Sequence, residues 1–268
     1  MKTKRIILTI IGAVAACTLG LCLVACDGGG EDPTPTPTPA PTPAPDPTPA
    51  PPAPTPAPEK AVTVTDLFRS GGTYKDPSGN TIQYSYSLPK VDGPDTDYIY
   101  EINAAAAAAK KDYVDASLEA MQRGDSIGWG HVEYTAGKAG DITTIMLVKS
   151  NAYDNLPLYD TWIIGIDGRQ AETTELFAAK HVTADQVLAK IREMLSEYTS
   201  NDYDAIEKAL GKEFADETRA CDEKTLSDEN INTHMPYFIN EDGHLCVVAT
   251  TYVVAGAGFK VRVLDLGF

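Results

Sequence analysis

Proline at nearly every second position from Pro33 to Pro58 is the strongest constraint on this chain of 268 residues. Each proline lacks a backbone N–H and holds φ at roughly −65°, so the stretch can build neither a helix nor a sheet ladder. Threonine and alanine fill most of the gaps, a composition that favours polyproline II at about 3.1 Å per residue, or about 80 Å in all when extended. The expectation is a disordered, semi-rigid stalk within residues 26–61. Folding is then confined to residues 62–268, enough for one domain or two packed halves of about 62–150 and 151–268.

Ahead of the stalk lie a basic head, Lys2, Lys4 and Arg5, and an apolar run from Ile6 to Ala25. A charged head, an apolar middle and a small-residue end make the pattern of a secretory signal peptide. Leu23-Val24-Ala25-Cys26 resembles the lipobox of bacterial lipoproteins, which predicts cleavage after residue 25 and a diacylglycerol thioether on Cys26. Two acyl chains, at roughly 0.8 kcal/mol per buried methylene, hold a protein on a membrane far more firmly than one. A plain transmembrane anchor competes, since about 20 apolar residues can span a bilayer; the small residue before cysteine favours cleavage. The expected location is the outward face of the cell membrane, lipid-anchored.

The chain carries 22 Lys and Arg against 38 Asp and Glu, and loss of Lys2, Lys4 and Arg5 takes the formal net charge from −16 to −19. Such a balance argues against nucleic acid and anionic membrane surfaces, which need clustered cations. It suits a basic protein partner, or simply the solubility of an exported domain. With Cys26 lipidated and Cys17 and Cys22 removed with the signal, Cys221 and Cys246 remain. In an oxidising compartment they form either a disulfide or two buried free thiols.

Within the folded part, Ile82, Tyr84, Tyr86 and Leu88 alternate with polar neighbours as in a half-buried strand ending at Pro89. Ile99, Ile102, Ala106, Ala109 and Tyr113 share a helical face that should stop at Gly124, a C-cap. Strands are predicted at Gly130 to Thr135, Ile142 to Lys149 and Leu158 to Ile166, with turns at Gly137 to Gly140 and Asp167-Gly168. Thr183 and Gln186 form a capping box for a helix burying Val187, Ile191, Leu195 and Tyr198. A further helix after Asn201 or Asp202 should turn Ile206, Leu210 and Phe214 inward. A hairpin, Tyr237 to Ile239 and Leu245 to Tyr252, turns at Asn240-Glu241-Asp242-Gly243, and a last strand runs from Phe259 to Leu264. Strands and helices mixed without regular alternation predict an α+β fold with a mostly antiparallel sheet.

Gly124-Asp125-Ser126-Ile127-Gly128 matches G-x-S-x-G and resembles the Gly-Asp-Ser block of a family of lipid esterases. A serine nucleophile needs a sharp turn after a buried strand and a nearby histidine. Here the preceding residues read as helix, and none of His131, His181, His234 or His244 has an aspartate three residues earlier. Arg123-Gly124-Asp125 also spells an integrin-binding tripeptide, which chance supplies often. Asp92, Asp95 and Asp97 lack the glycine and terminal glutamate of a calcium loop, and Glu172 with Glu175 and Glu241 with Asp242 read as surface turns. The histidines show no metal-ligand spacing, and no phosphate or dinucleotide motif occurs. No catalytic residue, metal site or cofactor is assigned.

Three segments together resemble a known family. They are Ser85-Tyr86-Ser87-Leu88-Pro89 with Ile102-Asn103; Trp162-Ile163-Ile164-Gly165-Ile166-Asp167-Gly168 running to Thr174-Glu175-Leu176-Phe177; and Tyr237-Phe238-Ile239-Asn240-Glu241-Asp242-Gly243 through Tyr252 to Ala255-Gly256-Ala257-Gly258. This is similar to the extracellular domain of unknown function shared by the anti-sigma factor RsiV and the peptidoglycan deacetylase PdaC. The resemblance covers about Gln83 to Phe268 and implies an α+β fold facing the envelope. In RsiV that domain binds lysozyme, a basic protein. Only Met1 to Arg5 precede the apolar segment and no deacetylase domain follows, so neither anti-sigma activity nor deacetylation is expected. What is expected is a surface lipoprotein whose non-catalytic domain binds a lysozyme-like protein or a wall component such as peptidoglycan. An envelope hydrolase or esterase, or a structural or adhesive module, are the alternatives. The groove between the central sheet and the Thr183 helix is where a pocket would favour the enzyme.

Overall fold

Val62 and Val64 alternate with threonine at the start of the folded part, and there the chain forms its longest strand, β1 (Thr63–Lys75). The computed structural model describes residues 60–153, 156–254 and 258–268. The expected signal peptide, Cys26 and all but the last two residues of the expected linker lie outside the described residues. β1 pairs antiparallel with β2 (Thr81–Asp92) along its length. Most of β1 is exposed, so beyond Val64 it lacks the alternation that reveals a half-buried strand.

Pro89 does not end β2, as its sequence position suggests. It lies opposite Asp66, where the register shifts between Asp66 and Phe68, so its missing N–H falls at a bulge instead of breaking a regular ladder.

The predicted first helix is present but in three parts. α1 (Asp97–Ala109) buries Ile99, Ile102, Ala106 and Ala109, as the spacing requires. A π-helical turn (Lys110–Asp115) follows, and α2 (Ala116–Arg123) ends at Gly124 with φ 77°. In the wider turn Lys110 and Asp115 pair at 2.7 Å. Asn103 anchors α1 to β2: its amide oxygen accepts from Val91 N at 2.8 Å and its amide nitrogen donates to Val91 O at 2.9 Å.

β3 (Trp129–Ala139), β4 (Ile142–Asn151) and β5 (Leu158–Ile164) complete a sheet in the order β1-β2-β3-β4-β5. Only β2 and β3 run parallel, at Ser85↔His131 and Tyr86↔Val132, and the helices between them supply the crossover such pairing needs. β4 alternates strictly. Ile145 and Leu147 pack with residues of α1 and β2, while Met146 on the opposite face packs with Phe238, Cys246 and Val248.

Those last residues belong to a second, antiparallel sheet of β6 (Tyr237–Ile239), β7 (Leu245–Tyr252) and β8 (Phe259–Asp265). Thr144 Oγ1 accepts a hydrogen bond from Ile239 N at 2.7 Å, joining the sheets directly. Gly137 lies within β3 beneath Ile239 and not in a turn, because two backbones meet closely there; Gly140, at φ 54°, is the residue in the turn.

Helices cover the other face of β7. α3 (Thr173–Ala179) brings Phe177 edge-on to Tyr237 at 5.0 Å. α4 (Ala184–Ser196), capped by Thr183 and Gln186 as predicted, buries Val187, Ile191 and Leu195 among Leu245, Val247 and Ala249. The Thr183 helix thus packs through apolar side chains on the second sheet. Tyr198 lies past the end of α4 and is exposed. The next predicted helix breaks at Gly211, whose φ of 94° and ψ of 161° are not helical, into α5 (Tyr203–Leu210) and α6 (Lys212–Thr225). Leu210 at the break is 63% exposed instead of inward. The observed fold is α+β with largely antiparallel sheets.

Candidate functional site

Helix α6 has a stripe of Ala215, Asp222 and Thr225 that is buried, and the last two set its position on β7. Thr225 Oγ1 accepts from Tyr252 N at 2.9 Å and donates to Cys221 O at 2.9 Å. Asn230 Nδ2 bridges Thr225 O and Thr250 O at 2.7 and 2.9 Å. Asp222 is 7% exposed and accepts two hydrogen bonds on one oxygen, Oδ2: from Asn201 Nδ2 at 2.7 Å and from Tyr203 Oη at 2.8 Å. These bonds tie the segment between α4 and α5 to α6. Burial, and then the hydrogen bond to Asp222, push the Tyr203 phenol up.

A cleft of about 350 Å³ lies beside this knot. Ile206, Phe214, Val253 and Val254 line it with apolar surface, together with Asp222 of α6 and Lys260 and Arg262 of β8. The Arg262 guanidinium lies 3.7 Å from the centre of the Tyr198 ring, and its Nε donates to Thr251 Oγ1 at 3.2 Å. Arg219 over Tyr203 at 4.7 Å and Lys224 over Tyr252 at 4.0 Å brace the same helices. A second cleft of about 430 Å³ opens on the other side of α6, sharing Cys221, Tyr252, Val253 and Val254 with the first.

α5 and α6, which wall the first cleft, form an acidic arm. α5 has no buried residue. Asp204, Glu207, Glu213, Glu217 and Glu223 are all exposed, and none has an ion-pair partner among the described residues; Lys212 and Arg219 both go to Asp216, at 2.9 and 3.3 Å.

No protein-family model and no curated protein sequence matches this chain.

Cys26 lies outside the described residues. Cys221 and Cys246 are free thiols, so the candidate disulfide is not formed. Cys246 stands near the start of β7, packed on Met146 and Phe238, whereas Cys221 sits beside Tyr252 at its far end. Six strand positions at about 3.3 Å each separate the two ends. Burial pushes both thiols up, Cys246 to about 11, and a protonated thiol is a poor nucleophile.

Ser126 is exposed after Gly124, the cap of α2, and no side-chain hydrogen bond among the described residues joins it to a histidine. Arg123 and Asp125 close on each other, Nε to Oδ2 at 2.8 Å. His244 meets Asp265 at 3.0 Å; His181 and His234 are exposed, and His131 is half-buried in β3. Among the described residues no group of three or more His, Cys, Asp or Glu could hold a metal ion, and no helix is long and apolar enough to cross a membrane. Asp92 pairs with Lys90 at 3.2 Å, Asp95 accepts from Tyr100 Oη, and Asp97 opens α1. Glu172 and Glu175 are the capping box of α3, while Glu241 and Asp242 sit exposed in the β6–β7 turn.

Sequence reasoning missed the cleft, whose charged groups are some forty positions apart. One signal was present: Asp222 shares a helical stripe with Ala215 and Thr225, and a carboxylate on a buried stripe needs partners.

Proposed function

We propose that this chain is a surface lipoprotein, anchored outside the cell membrane through Cys26, whose RsiV/PdaC-like domain stands on a proline-rich stalk and binds a basic protein without chemistry of its own. Lysozyme-like proteins are the class the resemblance supplies. The observation that carries the proposal is the α5–α6 arm, where five exposed carboxylates lack a cation partner among the described residues. Unpaired surface charge steers an oppositely charged protein to the surface and raises its association rate.

Titrating the full chain with lysozyme while ionic strength rises from about 0.01 to about 0.15 M tests this directly. Saturable binding that weakens with salt, and weakens further when Asp204, Glu207 and Glu213 are changed to lysine, is the expected result. Failure to bind at the lowest salt overturns the partner. For the anchor, a palmitate analogue should label the native chain and not Cys26→Ala, and the variant should leave the membrane fraction.

A further inference from the structure

We propose that the cleft between α5, α6 and β8 binds a small zwitterionic ligand, an amino acid or short peptide with a free amine, a free carboxylate and an aliphatic side chain. Three observations converge on that chemistry. First, Asp222 is 7% exposed, yet both its hydrogen bonds fall on Oδ2. Its Oδ1 accepts from no group among the described residues and is open to a donor from the cleft. An incoming ammonium supplies that donor as a charge-assisted bond.

Second, β8 lines the same cleft with two cations that have no ion-pair partner among the described residues. Among the described residues Lys260 Nζ makes no hydrogen bond or ion pair. Arg262 is held by the Tyr198 ring and by the Nε bond to Thr251, and its two terminal amino groups make no hydrogen bond or ion pair among the described residues. A guanidinium fixed in orientation this way is ready to take a carboxylate at both terminal nitrogens. A simple anion satisfies these cations and leaves Asp222 unpaired, and a simple cation does the reverse; only a ligand bearing both charges satisfies both.

Third, Ile206, Phe214, Val253 and Val254 lie among these groups. They offer an apolar surface for a side chain, and a volume of about 350 Å³ falls at the small end of ligand sites. This ligand is distinct from the basic protein proposed above. Lysozyme binding by the acidic arm and peptide binding by the cleft are measured separately and fail separately.

Calorimetry of the full chain with leucyl-leucine, its N-acetyl derivative and its C-terminal amide tests the assignment. The free dipeptide should bind saturably at millimolar concentration, and blocking either end should weaken it about tenfold or more, the loss expected for one charged hydrogen bond. In Asp222→Asn acetylation should cease to matter while amidation still does. In Lys260→Gln with Arg262→Gln the pattern should reverse. Absence of saturation by the free dipeptide, or equal binding of the blocked forms, overturns the proposal. Lys260 and Arg262 lie outside the buried core, so the amidation arm stands even where Asp222→Asn does not fold.

Discussion

The carbonyl oxygen of Ile239 on β6 lies so close over Gly137 on β3 that a Cβ built on that glycine would sit 2.5 Å from it. The two sheets touch backbone to backbone at this point, and the neighbouring bond from Ile239 N to Thr144 Oγ1 fixes their register. No side chain can be admitted without moving one sheet off the other.

Gly137→Ala should therefore lower stability by about 1–3 kcal/mol, the usual cost of overpacking, or more. Gly128→Ala, where nothing lies within 4 Å, should change it by less than about 0.5 kcal/mol. Urea denaturation of both variants makes the comparison, and equal stability would mean that the sheets do not meet at Gly137.

Asn103 makes both of its amide hydrogen bonds to the backbone of Val91. Asn103→Ala leaves that N–H and carbonyl without partners and should cost about 1–3 kcal/mol. Gly168, at φ 76°, lies against the same helix, and a Cβ there would come 3.0 Å from Ile99 Cδ1. Gly168→Ala should be destabilising for steric and conformational reasons together. Thermal melts of both variants test how α1 is docked.

Alkali should destabilise the fold. Burial, then the hydrogen bond to Asp66, push the Tyr134 phenol up to about 12, and burial raises Tyr237 further. An unfolded tyrosine releases its proton near pH 10, while the folded protein holds these protons to higher pH. The folded state thus binds more protons than the unfolded state between about pH 10 and 12, and stability falls as pH rises through that window. Tyr134→Phe should flatten the fall, read from urea midpoints at increasing pH.

Acid acts on the other half of that contact. Hydrogen bonds from Arg69 and Tyr134 hold Asp66 below the usual carboxylate range. Its contribution is present above about pH 4 and is lost as pH falls through the lower folded value. Asp66→Asn should remove this acid-side slope in the same urea measurements.

Thiol labelling distinguishes the two cysteines. Cys246 is 2% exposed and its thiol is pushed up to about 11, so iodoacetamide should reach it only on unfolding. Cys221 is half-buried and should label slowly in the native protein. Mass spectrometry under non-reducing conditions should find no peptide linking them; a quantitative cross-link would overturn the separation seen along β7.

Much of this fold is legible because local chemistry sets it. The buried stripe of α1, the stop at Gly124, the Thr183–Gln186 box and the hairpin around Asn240 to Gly243 all follow from periodicity, capping and turn residues acting over a few positions. The failures share another cause. β1 stays hidden because an exposed strand carries no apolar alternation, and Pro89 and Gly137 read as a stop and a turn because their true partners, Asp66 and Ile239, lie far away in sequence.

What the sequence by itself determined is a lipobox-like segment, a proline-rich stretch and an acidic α+β domain, all written in composition and short-range pattern. Tertiary structure alone decided that two sheets stack through Gly137, that Cys221 and Cys246 stand at opposite ends of β7, and that Asp222, Lys260 and Arg262 line one cleft. Those relationships arise from packing between segments remote along the chain, where the energy lies in contacts that no local run of residues contains.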